Sequence, residues 1–263
     1  MRPAESPRRG FGAGEAILII CLGAAVVFLE TRAYYSRELR GSDFFGRNAA
    51  EELAPIEARY GPSKYSENVE EWLIRDYFQD RRGGVFLDVG ANHYRDANNT
   101  YYLETVLGWS GVAVDALPEF GPEYVKNRPR TKFVAMFASD VVGSQVTFFV
   151  PEDNKLVSSS SREFTEKEGS PGRPRQVPTT TLTVVLEQAG ISQIDFMSMD
   201  IELAEPKALA GFDIDRYRPS LVCIEAHPEV RQQILDYFAR HGYVAIGKYL
   251  RADPNNLYFT PLR

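Results

Sequence analysis

The sequence holds few of the residues that staple or metallate a fold. Its 263 residues include two cysteines, Cys21 and Cys223, which cannot make a disulfide framework or a four-thiolate zinc site. There are three histidines, His93, His227 and His241, too few for a histidine-rich metal centre. Positive charge is not in excess. The formal net charge of −6 argues against an electrostatic nucleic-acid binder. No internal repeat is visible, and no G-x-G-x-x-G occurs. Hydrophobic residues at 44% and charged residues at 25% lie near globular averages, which excludes collagen-like, coiled-coil and wholly disordered chains.

One long apolar run is present. Ala16 to Leu29 is uncharged, with Arg2, Arg8 and Arg9 before it and Arg32, Arg37 and Arg40 after it. As a helix it would be about 21 Å long, against a hydrocarbon core of roughly 30 Å. Gly12, Ala13 and snorkelling arginines could lengthen it, and Tyr34 and Tyr35 would suit the interface. We read residues 1–30 as an N-terminal apolar helix that anchors the chain in a membrane. A cleaved signal and a soluble helix are the alternatives. Thr31-Arg32-Ala33 is a poor cleavage site. Residues 31–60 read as a linker, and Tyr60-Gly61-Pro62 as the turn that opens a folded domain over 61–263.

Within that domain, short continuous apolar runs alternate with helical patterns. Strands are expected at Val85–Val89, Gly111–Asp115, Lys132–Phe137, Gln145–Val150, Ile194–Asp200, Ser220–Glu225, Tyr243–Tyr249 and Asn256–Thr260. Helices are expected at Ser66–Phe78 with Ser66 as N-cap, Thr100–Leu107, Pro122–Asn127, Thr181–Ala189, Pro206–Ala210 and Glu229–His241. This alternation implies an α/β fold, a mainly parallel sheet with helices on both faces. Residues 154–177, with four serines at 158–161, read as a flexible insertion.

The most informative stretch is Phe86-Leu-Asp88-Val-Gly90-Ala91-Asn92. A strand ends in an acid and a glycine turn, at the edge where open parallel sheets bind ligands. The next strand ends in Asp115, placed to accept both hydroxyls of a ribose. The single Gly90, followed by His93 and Tyr94, leaves no room for a pyrophosphate, which counts against a nucleotide-dependent oxidoreductase. A ligand without phosphate and with positive charge fits better. S-adenosyl-L-methionine has a sulfonium, an amino acid end for Asp88 or a loop carbonyl, and a ribose for Asp115.

These residues resemble a known family. Asp88-Val-Gly-Ala-Asn92, Asn99-Thr100, Leu103-Glu104, Gly108-Trp109-Ser-Gly111 and Asp115 are similar to the FkbM-type S-adenosylmethionine-dependent methyltransferases. So are Lys64-Tyr65-Ser66-Glu67-Asn68 upstream and Ile194 to Glu205 downstream, and the resemblance runs from about Tyr65 to Tyr243. It implies a Rossmann-like class I methyltransferase fold, with Asp88, Gly90, Ala91, Asn92, Thr100, Asp115 and Asp200 on the cofactor. Two positions depart from the family pattern. Tyr94 replaces the last glycine of D-V-G-A-N-x-G, and Leu203 that of D-x-E-G-x-E.

For methyl transfer to a hydroxyl, the candidate catalytic residues are Asp200, Glu202 and His227, with Glu205 and Glu225 beside them. His227, with an ordinary pKa near 6.5, would act as general base. Asp200, Glu202 and Glu205 could together hold a divalent cation, but Glu205 should point along its helix, and no metal is expected. His93 would cover adenosine or reach substrate, Tyr65 would stack on either, and Trp109 would pack in the core. The resemblance implies O-methylation of a sugar, glycan or related small molecule, with no nucleic-acid partner. The alternative is a non-catalytic, membrane-tethered binding or trafficking protein on the same fold. The low cysteine count suits a domain facing the cytoplasm, whether anchored or a cytoplasmic protein.

Overall fold

The computed structural model describes residues 42–61, 64–169 and 171–262. The apolar run at 16–29 lies outside them. Among the described residues no helix is long and apolar enough to cross a membrane. The chain divides into two compact units at Gly46–Arg47, and the second, Arg47–Arg263, carries the sheet. It starts before the Tyr60-Gly61-Pro62 turn. The helix Ser42–Tyr60 delivers Ile56 and Tyr60 into a buried cluster, so its C-terminal part serves as core rather than as linker.

Ten strands are described: β1 (Val85–Val89), β2 (Ser110–Asp115), β3 (Thr131–Ala135), β4 (Phe137–Ala138), β5 (Gln145–Val150), β6 (Arg173–Thr180), β7 (Phe196–Met199), β8 (Leu221–Glu225), β9 (Tyr243–Ala245) and β10 (Asn256–Pro261). Seven form one sheet in the order β3-β2-β1-β7-β8-β10-β9, parallel except that β10 runs antiparallel to both its neighbours. β4, β6 and β5 form a second, three-stranded sheet.

Period-two alternation sorts the strands between two cores. Leu87, Val89, Met197, Met199, Val222 and Ile224 face one, under the helices Leu182–Ala189 and Arg231–Arg240. Phe86, Phe196, Leu221 and Cys223 face the other, with Trp72 and Phe78 of the helix Glu70–Phe78 and with Trp109. Phe86, Phe196 and Trp109 are fully buried, and large side chains of this kind contribute roughly 1.5–3 kcal/mol each. Trp109 is therefore a packing residue, as expected.

The chain leaves β1 toward β2 and β3, then returns to β7 on the other side of β1. That reversal makes a switch point, where a crevice opens at the carboxyl ends of the strands. Register places Val89 beside Met199, so the turns after β1 and β7 adjoin, and the Asp200 amide donates to the Val89 carbonyl at 2.9 Å.

Several boundaries differ from the sequence reading. Ser66 does not cap the helix, which begins at Glu70; its hydroxyl instead accepts from the Glu71 amide at 3.0 Å. The third strand breaks at Met136, and Phe137–Ala138 crosses into the second sheet. The strand expected over Tyr243–Tyr249 stops at Ala245, and Gly247–Ala252 is helical. Residues 154–177, read as flexible, hold a 3-10 turn (Lys155–Val157), a helix (Arg162–Lys167) and most of β6. The serine run has a local cause: Ser161 caps that helix by accepting from the Phe164 amide, and Ser159 is fully buried.

Gly90 is demanded twice. Its φ is +81°, and a Cβ there would lie 1.7 Å from the Asp200 carbonyl oxygen. The missing side chain lets two strand ends meet. Gly190 also has positive φ, at the end of the helix Leu182–Ala189, but has open space around it. Gly90→Ala should cost about 2–4 kcal/mol in urea unfolding, and Gly190→Ala about 1 kcal/mol. Equal losses would show that the clash at Gly90 is relieved elsewhere.

Candidate functional site

The switch-point turns line a cleft. Gly90 and Asn92 come from the loop after β1, Asp115 and Leu117 from the end of β2, and Asp200, Ile201 and Glu202 from the turn after β7. Met136, Phe137 and Phe148 form an apolar wall, and Lys155, Leu156 and Ser158 of the insertion close one side.

Asp115 is fixed on both oxygens. One accepts from the Asn92 amide at 2.9 Å and the other from the Leu117 amide at 2.8 Å. Each oxygen keeps a lone pair for the cleft. Desolvation raises its pKa to about 6, against the two amides, with Asp88 and Glu119 adding to the rise.

The rest of the loop after β1 is built inward. Asp88 is buried and accepts from the Thr100 hydroxyl at 2.7 Å and the Asn98 amide at 3.4 Å. Burial lifts it to about 6. Ala91 is buried, and its carbonyl accepts from Asn98 and from the Tyr124 hydroxyl. Asp88, Ala91 and Thr100 were expected on the cofactor. They do not line the cleft, because their polar groups are spent on holding the loop. His93 sits outside it, accepting on Nδ1 from the Asp96 amide at 3.0 Å. Tyr65 packs on Tyr101, with ring centroids 4.5 Å apart, and does not face the cleft either.

Beneath the loop lies a residue that sequence reasoning missed. Arg128 follows the helix Gly121–Asn127, and its side chain is fully buried. Its Nη1 donates to the Tyr94 carbonyl at 2.9 Å and to Asn98 Oδ1 at 3.1 Å; Nη2 donates to the Thr100 carbonyl at 3.2 Å; Nε pairs with buried Glu104. In sequence it is one arginine of Arg128-Pro129-Arg130, with no signal of burial. Tyr94, at the family's glycine position, uses its carbonyl here and turns its ring toward His93 and Tyr101, away from the cleft.

The acids at the other turn converge on His227. Its Nε2 lies 3.2 Å from Glu202 Oε2 and 3.1 Å from Glu225 Oε2. The two carboxylates raise its pKa to about 10, so His227 is held as the imidazolium near neutrality. This corrects the expectation of a neutral base with an ordinary pKa. The acids shift upward in turn. Burial takes Glu202 to about 7 against the pull of His227, and burial takes Glu205 to about 7. Asp200 stays accessible from the cleft, yet desolvation among protein atoms and the charges of Glu225 and Glu202 push it well above the carboxylate range. Glu205 does not project along its helix; it is fully buried and accepts from the Ile201 amide at 3.0 Å.

The turn that presents Glu202 is strained. Glu202 and Leu203 both have positive φ, 52° and 76°. The family's glycine would adopt that conformation at Leu203 without a Cβ penalty. The insertion clasps the same turn: the Ser159 hydroxyl donates to the Glu202 carbonyl at 2.6 Å, and Phe164 meets the His227 ring edge-on at 5.1 Å between centroids.

The buried ion pair under the loop makes a stability prediction. Arg128→Ala leaves Glu104 as an unpaired buried charge and strips partners from two carbonyls, so unfolding should lose roughly 3–5 kcal/mol. The double variant Arg128→Met with Glu104→Gln should recover part of that in the same denaturant titration. A loss below about 1 kcal/mol for Arg128→Ala would show that water replaces the guanidinium.

No curated protein matches the chain. Among solved structures, a TehB-like SAM-dependent methyltransferase from Corynebacterium glutamicum is similar at 15% identity and TM-score 0.44, covering 82% of this chain and 97% of that one. An O-methyltransferase from Bacillus cereus, solved in complex with SAH, is similar at 12% identity and TM-score 0.41, covering 82% and 90%. Likeness at this level assigns no residue. Residues 88–245 match the family described as the methyltransferase FkbM domain. The match covers more than half of the sequence, opening at the strand-tip Asp88 and taking in the cleft turns and the Glu225–His227 pair, and the chain belongs to the FkbM methyltransferase family.

Proposed function

We propose that the protein is an S-adenosyl-L-methionine-dependent methyltransferase that methylates a hydroxyl oxygen of a sugar, glycan or related small molecule. The observation that carries the reading is Asp115, a carboxylate held by two amides at the tip of β2 in a cleft that also reaches Asp200 and Glu202. Its oriented lone pairs suit the two ribose hydroxyls. Leu117, Met136, Phe137 and Phe148 give an apolar surface suited to a purine and exclude water from it. The cofactor supplies an electrophilic methyl group when bound.

The chain's own task is to align an acceptor oxygen and take its proton. Asp200, with raised basicity and access to the cleft, is the group suited to accept it. Glu202 adjoins it, and His227 acts through Glu202 as its counter-charge rather than as the base.

Titration calorimetry with S-adenosylmethionine tests the cofactor. Asp115→Ala should weaken binding about 10- to 100-fold, the worth of a charge-assisted pair. Unchanged affinity would make Asp115 structural, and binding of NADH in place of S-adenosylmethionine would overturn the reading. In a screen of hydroxylated acceptors with labelled cofactor, Asp200→Asn and His227→Ala should lower turnover far more than cofactor affinity. Cofactor binding without transfer to any acceptor would favour the non-catalytic alternative.

A further inference from the structure

We propose that Glu202, Glu225 and His227 form a divalent-cation site at the edge of the cleft, of the mixed imidazole–carboxylate kind that takes Mn2+ or Zn2+. The three come from two adjacent strands. Glu202 lies in the turn after β7, Glu225 ends β8, and His227 follows it by two residues. One ligand atom from each, His227 Nε2 and a carboxylate oxygen from each glutamate, lies within 4.8 Å of the other two.

The spacing is that of ligands around an ion. Bonds of about 2.1 Å hold neighbouring ligand atoms about 3 Å apart and opposite ones about 4 Å apart. Here the nitrogen stands 3.2 Å from one oxygen and 3.1 Å from the other. The imidazole N–H serves only one of the two carboxylates. Nε2 carries one N–H, and when it is directed to Glu202 it leaves Glu225 Oε2, a buried atom, without a hydrogen bond despite its proximity. A cation bonds both oxygens and the nitrogen at once.

A second observation points the same way. Glu205 is fully buried, and its Oε2 has no hydrogen-bond partner. It lies within the electrostatic reach of Glu202 and Glu225. Asp200, Glu202, Glu205 and Glu225 thus stand near one another at these strand ends, a concentration of acids whose charge a bound cation would offset. Two carboxylates with one imidazole suit Mn2+ or Zn2+ better than Mg2+ or Ca2+, which prefer oxygen alone. The other His–acid pairs on the surface, His241 with Asp215 and His93 with Asp96, each have one acid and no such convergence.

What the ion would do in methyl transfer rests on the function proposed above; its binding does not. The test therefore uses metal-free protein without S-adenosylmethionine. Mn2+ is titrated and followed by electron paramagnetic resonance and by thermal melting, with Zn2+ in a parallel melt. The wild-type chain should bind one ion at micromolar concentration and melt higher with it. Glu225→Gln, Glu202→Gln and His227→Ala should each weaken binding at least 10-fold, and their melts should no longer respond to the ion. Asp215→Asn should bind like wild type. Asp115→Ala should also bind Mn2+ normally, which separates this site from the cofactor reading. No saturable binding of either ion below millimolar concentration overturns the proposal. So does binding that survives in both Glu225→Gln and His227→Ala, or that Asp215→Asn weakens equally.

Discussion

The cleft depends on one buried guanidinium. The loop from Ala91 to Thr100 has no helix or strand of its own, so its carbonyls lack the amide donors of a regular ladder. Arg128 supplies donors to two of them and to the Asn98 side chain. Asn98, so fixed, ties the Ala91 carbonyl and Asp88. The amide of Asn92 then meets Asp115. An arginine is the residue for this task, because its planar fork of five donors is matched to several acceptors and never loses its charge. Glu104 makes that charge tolerable inside the fold.

The opposite side of the cleft is organised by charge rather than by donors. Acids are crowded at the ends of β7 and β8, and the backbone between Glu202 and Leu203 is held where side chains are disfavoured. Such strain persists only where surrounding contacts over-determine it. Here those contacts are the Ser159 hydroxyl on the Glu202 carbonyl and the packing of the Leu203 side chain on the main core. The two sides thus differ in kind: one is a neutralised, hydrogen-bonded scaffold, the other a reactive concentration of like charge.

Much of this was legible in the sequence for one reason. A parallel sheet brings the carboxyl ends of its strands to one edge, so acids read at strand tips must meet. Asp115 and Asp200 were found that way, and both line the cleft. Asp88 was placed on the right turn, but its side chain alternates to the interior face, where Thr100 and Asn98 claim it. His227, Glu202 and Glu225 were likewise grouped at strand ends, but the direct contact of the imidazole with both carboxylates was not legible, because it depends on the register of β7 with β8. The insertion misled for a related reason. Serines, glycine and prolines read as a loop, while Ser159 and Phe164 take their meaning from groups far away in sequence. Arg128 was invisible because a buried arginine looks like an exposed one until its partners are known.

The insertion has a further meaning in how the fold can change. β5 and β6 form an antiparallel pair from Gln145 with Pro178 to Val150 with Arg173, and the chain between them returns to its starting point. The segment 151–172 is therefore a cassette closed at its base. It touches Glu202 and His227 but carries no strand of the seven-stranded sheet. Its sequence can change without touching the buried partners of Arg128, which all lie elsewhere in the chain. A change there would be felt at one side of the cleft, where Lys155, Leu156 and Ser158 stand, and not in the sheet.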